Sequence, residues 1–291
     1  MRILVTGARG KVGSRVVSAA QAAGHKVTAT DIGPAVYGVP APGDAPYVRA
    51  DLTDYGQAIA TVQQARPDVV VHTAGIPDPA HDAPHVVFAT NVTATFNVAE
   101  AVARTGVRRL VYTSSETVPG FVTAERPFLP DYLPVDEEHP VRPQDGYALS
   151  KAVGEAICDA LVRRADVSVV SVRPSLVVTP DTYATVLASF QGRRLRRMPN
   201  QWSYVDADDL ADLIVRAAAA DTSGHEVVYA AQPDNLLGRP LAELLQEVYG
   251  AEAPPLRELP RPDAGGIAID KARKLFGWDP QRSWRDHVTR S

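Results

Sequence analysis

Tyr147 and Lys151 stand four residues apart in Tyr147-Ala148-Leu149-Ser150-Lys151, the interval that brings a phenol and an ammonium onto one face of a helix. A free phenol titrates at about pH 10, and a neighbouring ammonium favours the phenolate. Tyr147 is therefore a candidate general acid or base. The same pair also suits an ordinary solvent-facing helix, so its meaning depends on what lies beside it. Beside it in function is Leu110-Val111-Tyr112-Thr113-Ser114-Ser115-Glu116-Thr117-Val118, an apolar strand that releases hydroxyls at its C-terminal edge. Ser115 can hydrogen-bond a substrate oxygen that gains or loses a proton. The alternative for Ser115 is a turn or capping serine.

A second chemistry is written near the start. The strand ending at Thr6 runs into Gly7-Ala8-Arg9-Gly10-Lys11-Val12-Gly13 and then into a helix. Glycines at these places permit a tight turn, close approach of backbone to a pyrophosphate and close helix packing, while free N–H groups and the helix dipole face the anion. Asp31 ends the next strand, where a carboxylate accepts from both adenosine-ribose hydroxyls and repels a 2′-phosphate. These features predict a nicotinamide dinucleotide, NAD ahead of NADP. Arg9 argues the other way, because a guanidinium beside the loop can pair with a 2′-phosphate; otherwise it is a surface side chain. The positive nicotinamide adds to the ammonium in drawing the Tyr147 proton off, and Thr113 is placed beside it.

Further cofactor contacts are expected at Asp51-Leu52, where Asp51 either meets the adenine amine or caps a helix. They are also expected at Thr73-Ala74-Gly75 after His72, at the end of a strand where sheet topology places ligands. Asn91 sits within a helix against its propensity, which calls for a buried polar tie or a place in a proton path. A lone cysteine, Cys158, allows no intrachain disulfide or multi-thiolate metal site, and no metal centre is expected.

These residues need a scaffold, and the rest of the chain describes one. The 291 residues are 45% hydrophobic and 22% charged with a formal net charge of -4, an ordinary globular composition with no basic field for nucleic acid. No secretory leader or uncharged apolar span is apparent, so a cytoplasmic protein without a membrane partner is expected. Apolar β-branched runs at residues 2–6, 26–30, 47–49, 68–72, 109–113 and 168–172 alternate with amphipathic segments at 11–23, 54–64, 84–104 and 146–164. That alternation predicts an α/β Rossmann-type doubly wound parallel sheet, with Gly24 as the left-handed stop of the first helix. Residues 119–143 contain six prolines and predict a long ordered loop, either lid or linker. The NAD-binding domain is expected over residues 1–172. A smaller C-terminal substrate lobe is expected over 173–202 and 231–291, with 203–230, a helix from 207 and a strand from 226, packing back on the sheet. A helix is also expected over 241–249.

Taken together, the TGARGKVG loop, Asp31, DLTD at Asp51, HTAG at His72, NVTATFNVAEA at Asn91, YTSSETV, HPVRPQDGYALSKAVGE, SYVDADDLADL and GIAIDKARKLFGWDP resemble the extended short-chain dehydrogenase/reductases of the NAD-dependent epimerase/dehydratase type. The resemblance implies a catalytic triad of Ser115, Tyr147 and Lys151, with Lys151 also holding the nicotinamide ribose. It implies a substrate between two lobes and a homodimer.

Members similar to this chain oxidise, epimerise, dehydrate or decarboxylate sugars and sugar nucleotides, all beginning with hydride removal. Dehydratases of the group carry Asp-Glu after the catalytic hydroxyl; here the positions hold Glu116 and Thr117, which disfavours elimination while leaving Glu116 as a catalytic carboxyl or a solvated one. The stretch from Val172 to Pro180 lacks the asparagine that sugar-nucleotide enzymes place after the proline, and the segment up to Tyr204 is short. Both favour a small free substrate such as a uronic acid. Arg173 and Ser175 are the expected substrate contacts, with Arg173 as the carboxylate fork. The run Arg193, Arg194, Arg196 and Arg197 is a second source of charge or a solvated face. The expected function is an NAD-dependent sugar dehydrogenase, with a nucleotide-sugar epimerase or dehydratase as the alternative. A dinucleotide-sensing binding protein is the reading from another class, and an intact Tyr147 and Lys151 count against it.

Overall fold

The computed structural model describes residues 1–34, 41–190 and 197–288. In chain order the strands and helices are β1 (Arg2–Thr6), α1 (Gly13–Ala22), β2 (Lys26–Asp31), β3 (Tyr47–Arg49), α2 (Tyr55–Ala65), β4 (Val69–His72), α3 (Pro84–Thr105), β5 (Arg109–Thr113), α4 (Gly146–Arg164), β6 (Ser168–Pro174), β7 (Leu176–Val178), α5 (Tyr183–Phe190), β8 (Tyr204–Asp206), α6 (Ala207–Ala219), β9 (His225–Ala230), α7 (Leu241–Tyr249) and α8 (Asp270–Phe276).

Seven strands form one sheet in the order β3-β2-β1-β4-β5-β6-β9, and every pairing is parallel. The chain winds outward from β1 in one direction and resumes on its other side with β4. This is the doubly wound arrangement the sequence predicts, and its switch point lies between β1 and β4. Both faces of the sheet are covered, which is why the strands read as continuous apolar runs. Ile3 and Val5 point to one layer with Val16, Val17, Leu210 and Ile214. Leu4, Val70 and Leu110 point to the other with Val98, Val102 and Leu161.

Helix ends follow local chemistry. Asp54, Asp145 and Asp206 cap α2, α4 and α6 through side-chain oxygens, while Gly24 with φ 80° releases the chain after α1. α3 has the length and composition of a membrane-crossing helix, with mean hydropathy 1.3 in its best window, yet it packs against α2 and α4.

Sequence periodicity missed β7, α5, β8 and α8. The first three are short, and β7 and β8 pair only with each other in a separate two-stranded sheet. Tyr183, Leu187, Tyr204 and Leu236 fill the small core beneath it. The proline-rich segment is an ordered belt. Its Leu133 and Val135 are fully buried and form bridges to Leu256 and Ile267, which tie this part of it to the C-terminal region.

Candidate active site

At the switch point the glycine loop is shaped by contacts that no larger residue tolerates. Gly7 has φ +64° and lies so close to β4 that an added Cβ would meet Ala74 N at 2.6 Å. A Cβ on Gly13 would fall 2.1 Å from Gly7 O and 2.7 Å from Thr73 Oγ1. Thr73 Oγ1 donates to Thr6 O at 2.6 Å, and Ala74 N donates to Thr6 Oγ1 at 3.2 Å, so the two strand ends are laced together. His72, beneath them, is held neutral by burial, with a pKa pushed down to about 3, between Thr6 and Thr95. No side chain caps α1 and no acid stands in its first turn. Its N-terminal end is left for an anion.

Asp31 takes the Arg9 amide on Oδ2 at 2.9 Å, which fixes its carboxylate at the end of β2 beside the loop. The Arg9 guanidinium lies over the Tyr47 ring, 4.8 Å from its centroid, and Arg9 Nε is buried without a hydrogen-bond partner. Beyond Asp31, a cleft of about 440 Å³ is lined by Ile32, Arg49, Asp51 and Gln57. Ile32 is 60% exposed there, an apolar surface of the kind that covers a flat base. Asp51 Oδ1 is used within its own turn by Thr53, and the cap of α2 is Asp54. The capping alternative for Asp51 is thereby removed. Leu52 is buried in the core. A dinucleotide fits this series: an uncapped helix end, a glycine cradle, a carboxylate at the end of β2 and a cleft beyond it. Lys11 Nζ reaches toward Val177 O at 3.5 Å, and Val12 is the residue directly before α1.

Ser115, Tyr147 and Lys151 converge at the C-terminal end of β5 and the first turns of α4. Asp145 positions that first turn by accepting from Tyr147 N and Ala148 N, both at 2.9 Å. Ser115 is near enough to the Tyr147 phenol to lower its pKa, and its hydroxyl accepts from Thr117 N and Thr117 Oγ1 at 3.2 and 3.0 Å. Lys151 Nζ donates to Thr113 O at 2.9 Å and stands 5.8 Å from the Tyr147 ring centroid. Thr113 Oγ1 is buried and unpartnered, beside the place the cofactor would occupy.

Without the nicotinamide charge, the titration of Tyr147 is set by its surroundings in the fold. Burial pushes the phenol up to about 12; the Ser115 hydrogen bond lowers it, and the Glu116, Asp78 and Asp145 charges raise it. Burial likewise pushes Lys151 down to about 8. Loss of water dominates, and Lys151 is not among the groups acting on the phenol, so Tyr147 by itself is held protonated. Drawing its proton off requires a further positive charge.

Three other expectations change. Arg173 does not face a substrate: it is 3% exposed and grips Glu155, while Nη1 reaches Tyr229 Oη at 3.3 Å. Asn91 exchanges hydrogen bonds with Ile76 N and O and donates to Ser150 Oγ; it shapes the loop after Gly75, and both its amide hydrogens are used within the protein. Arg193, Arg194 and Arg196 lie outside the described residues, and Arg197 pairs with Glu252 at the surface.

Glu116 is no solvated carboxylate. It is 6% exposed, takes Asn200 Nδ2 on Oε1 at 3.3 Å, and burial raises its pKa to about 8. Ser175, Asn200 and the Leu176 amide adjoin the carboxyl and lower its pKa against that burial. Asn200 carries no motif that sequence periodicity or spacing marks. Its only local signal is a Pro199-Asn200 turn opening onto left-handed Gln201 and Trp202, with φ 54° and 59°.

Residues 3–230 match the NAD dependent epimerase/dehydratase family. The chain belongs to that family. A UDP-glucose 4-epimerase of Mycolicibacterium smegmatis is 29% identical over 318 residues, covering 100% of this chain and 97% of that one. A uronate dehydrogenase of Pseudomonas syringae pv. tomato is 29% identical over 230 residues, covering 78% and 73%. Among solved structures, a UDP-galactose 4-epimerase superposes with a TM-score of 0.71 at 27% identity, covering 99% of this chain and 96% of that one. The NAD-dependent epimerase/dehydratase family thus accounts for the doubly wound sheet and for the dinucleotide, while its sugar-directed relatives divide between two reactions.

Proposed function

We propose that this chain is an NAD-dependent sugar oxidoreductase in which Tyr147 exchanges a proton with the substrate hydroxyl. The observation that carries the reading is the meeting of Ser115, Tyr147 and Lys151 beside the glycine cradle. When bound, NAD supplies a hydride acceptor for the hydroxyl-bearing carbon. Ser115 holds the substrate oxygen, and Tyr147 receives its proton in oxidation or returns one in reduction. Lys151 adds positive charge and a donor for the nicotinamide ribose. Asp31 favours NAD over NADP.

Net dehydrogenation stands ahead of nucleotide-sugar epimerisation because β7 and α5 leave a small lobe beside the site. The full-length likeness to an epimerase keeps epimerisation as the second reading. Product analysis separates them: accumulating NADH from a free sugar supports dehydrogenation, and an isomerised nucleotide sugar without net NADH supports epimerisation. Bound NAD with neither outcome, for any sugar offered, would refute both and leave the dinucleotide-sensing alternative. A second copy is the inferred partner at the α3 and α4 face, where Phe96 and Leu149 are 49% and 42% exposed; sedimentation of the wild type and a Phe96→Glu variant tests it, and a monomeric wild type would refute it.

A further inference from the structure

The Lys151 ammonium is buried, with the residue 7% exposed, and burial by itself favours the neutral amine. Thr113 O takes one of its three N–H donors. Glu155 is the carboxylate that favours the charge, yet both of its oxygens are held by Arg173. What lies against the ammonium is aromatic. Nζ stands over the Tyr112 ring, 5.3 Å from its centroid, nearer than the 5.8 Å to that of Tyr147. At this range a desolvated cation is drawn to the negative face of a ring.

Tyr112 is held for this task by its surroundings. It is 1% exposed on β5, and a Cβ on Gly154 would run into its hydroxyl. A glycine inside a helix weakens that helix, and in α4 it makes room for the tyrosine. His72, from the end of β4, stacks on Tyr112 with centroids 6.0 Å apart and planes at 22°. Burial keeps His72 neutral, so no second cation competes for the ring. From α3 the neighbour is the neutral Asn91, which with Nζ borders Gly75. Burial also holds the Tyr112 phenol well above its ordinary range, so this ring stays neutral, whereas Tyr147 exchanges its proton during turnover.

We propose that Tyr112 is a positioning residue, its ring a platform that keeps the Lys151 ammonium charged and in place beside Thr113. The use of that charge rests on the sugar-oxidoreductase reading, while the platform is a property of the chain without cofactor. Tyr112 acts through Lys151 and has no part in the proton exchange itself.

The test follows Lys151 by NMR titration of the chain without cofactor, with lysine isotope-labelled at Cε and the signal assigned by its loss in Lys151→Met. Tyr112→Phe keeps the ring; phenylalanines fluorinated at the para position, or at the para and both meta positions, keep its shape and weaken its negative face. Lys151 in Tyr112→Phe should titrate with the wild type, near pH 8. Each step of fluorination should lower it further, by about half a unit or more with all three fluorines. A packing role gives no such order. Titration that ignores fluorination would overturn the proposal, as would a fall in Tyr112→Phe as large as that of the trifluorinated ring. Turnover is read on the same variants with whichever of D-galacturonate, by NADH formation, and UDP-galactose, by isomerisation, the wild type accepts. The ratio of Tyr112→Phe to its trifluorinated form should open from about one at pH 6 to about twofold at pH 8; a ratio constant with pH would overturn the role of the platform in turnover. If neither sugar turns over, the oxidoreductase reading fails, and the NMR series still decides the platform.

Discussion

Arg173 grips Glu155 through a two-pronged pair, Nε to Oε1 at 2.8 Å and Nη2 to Oε2 at 2.7 Å. Both side chains are buried, at 4% and 10% exposure. Glu155 Oε1 also accepts from Ser114 Oγ at 2.6 Å, and Glu155 lies one helical turn beyond Lys151. The pair therefore ties the end of β5, the middle of α4 and the end of β6 beneath the active site.

Replacing Arg173 by Met should leave Glu155 charged and unpaired and cost about 3–5 kcal/mol in urea unfolding. The Arg173→Met, Glu155→Leu double variant should recover much of that loss, because the buried charge is then gone. A higher sugar KM without a loss of stability would return Arg173 to the substrate-binding role that the structure removes.

Tyr147→Phe keeps the ring and deletes the proton carrier. Turnover should fall by about 10²–10⁴-fold, with NAD affinity, measured by fluorescence quenching, within a few-fold of wild type. Turnover near the wild-type rate would remove Tyr147 from acid–base chemistry.

Gly13→Ala places a methyl 2.1 Å from Gly7 O, where backbone cannot yield. NAD binding should be lost, and the melting temperature lowered. Gly24→Ala is the control, since its φ of +80° is strained but nothing lies within 4 Å; it should cost about 1–2 kcal/mol and leave NAD affinity unchanged. Equal NAD affinity in both variants would show that the loop tolerates the crowding.

Glu116 reverses the usual pH behaviour of a carboxyl. Unfolded, it releases its proton above the ordinary glutamate value of 4.5; folded, burial holds the proton until about 8. Over that window the native state binds more protons, so this group's contribution to stability falls as pH rises. Glu116→Gln should therefore gain a few kcal/mol relative to wild type at pH 8–9 and little near pH 4. Lys151, lowered to about 8, acts oppositely above that pH, where the unfolded chain holds more protons. A stability difference that does not change with pH would place an ionised Glu116 in the native protein.

The sequence by itself determined the sheet and the identity of its chemical parts. Alternating apolar runs and helices specify strands covered on both faces, and Gly7, Gly13, Asp31, Ser115, Tyr147 and Lys151 each sit at the end of an element whose local pattern is strong. Those assignments needed only periodicity and turn chemistry. What tertiary structure decided was the environment of each group. Arg173, following an apolar strand, reads in sequence like a free cation at a site, but Glu155 lies 18 residues earlier and only the packing of α4 on β6 brings it there. Asn91 is a polar residue in a helix until the fold sets Ile76 and Ser150 against it. Glu116 reads equally as a surface acid; burial between Ser175 and Asn200, residues 59 and 84 positions onward, makes it a neutral one. Charge state depends on desolvation and on partners distant along the chain, and neither is encoded in local spacing.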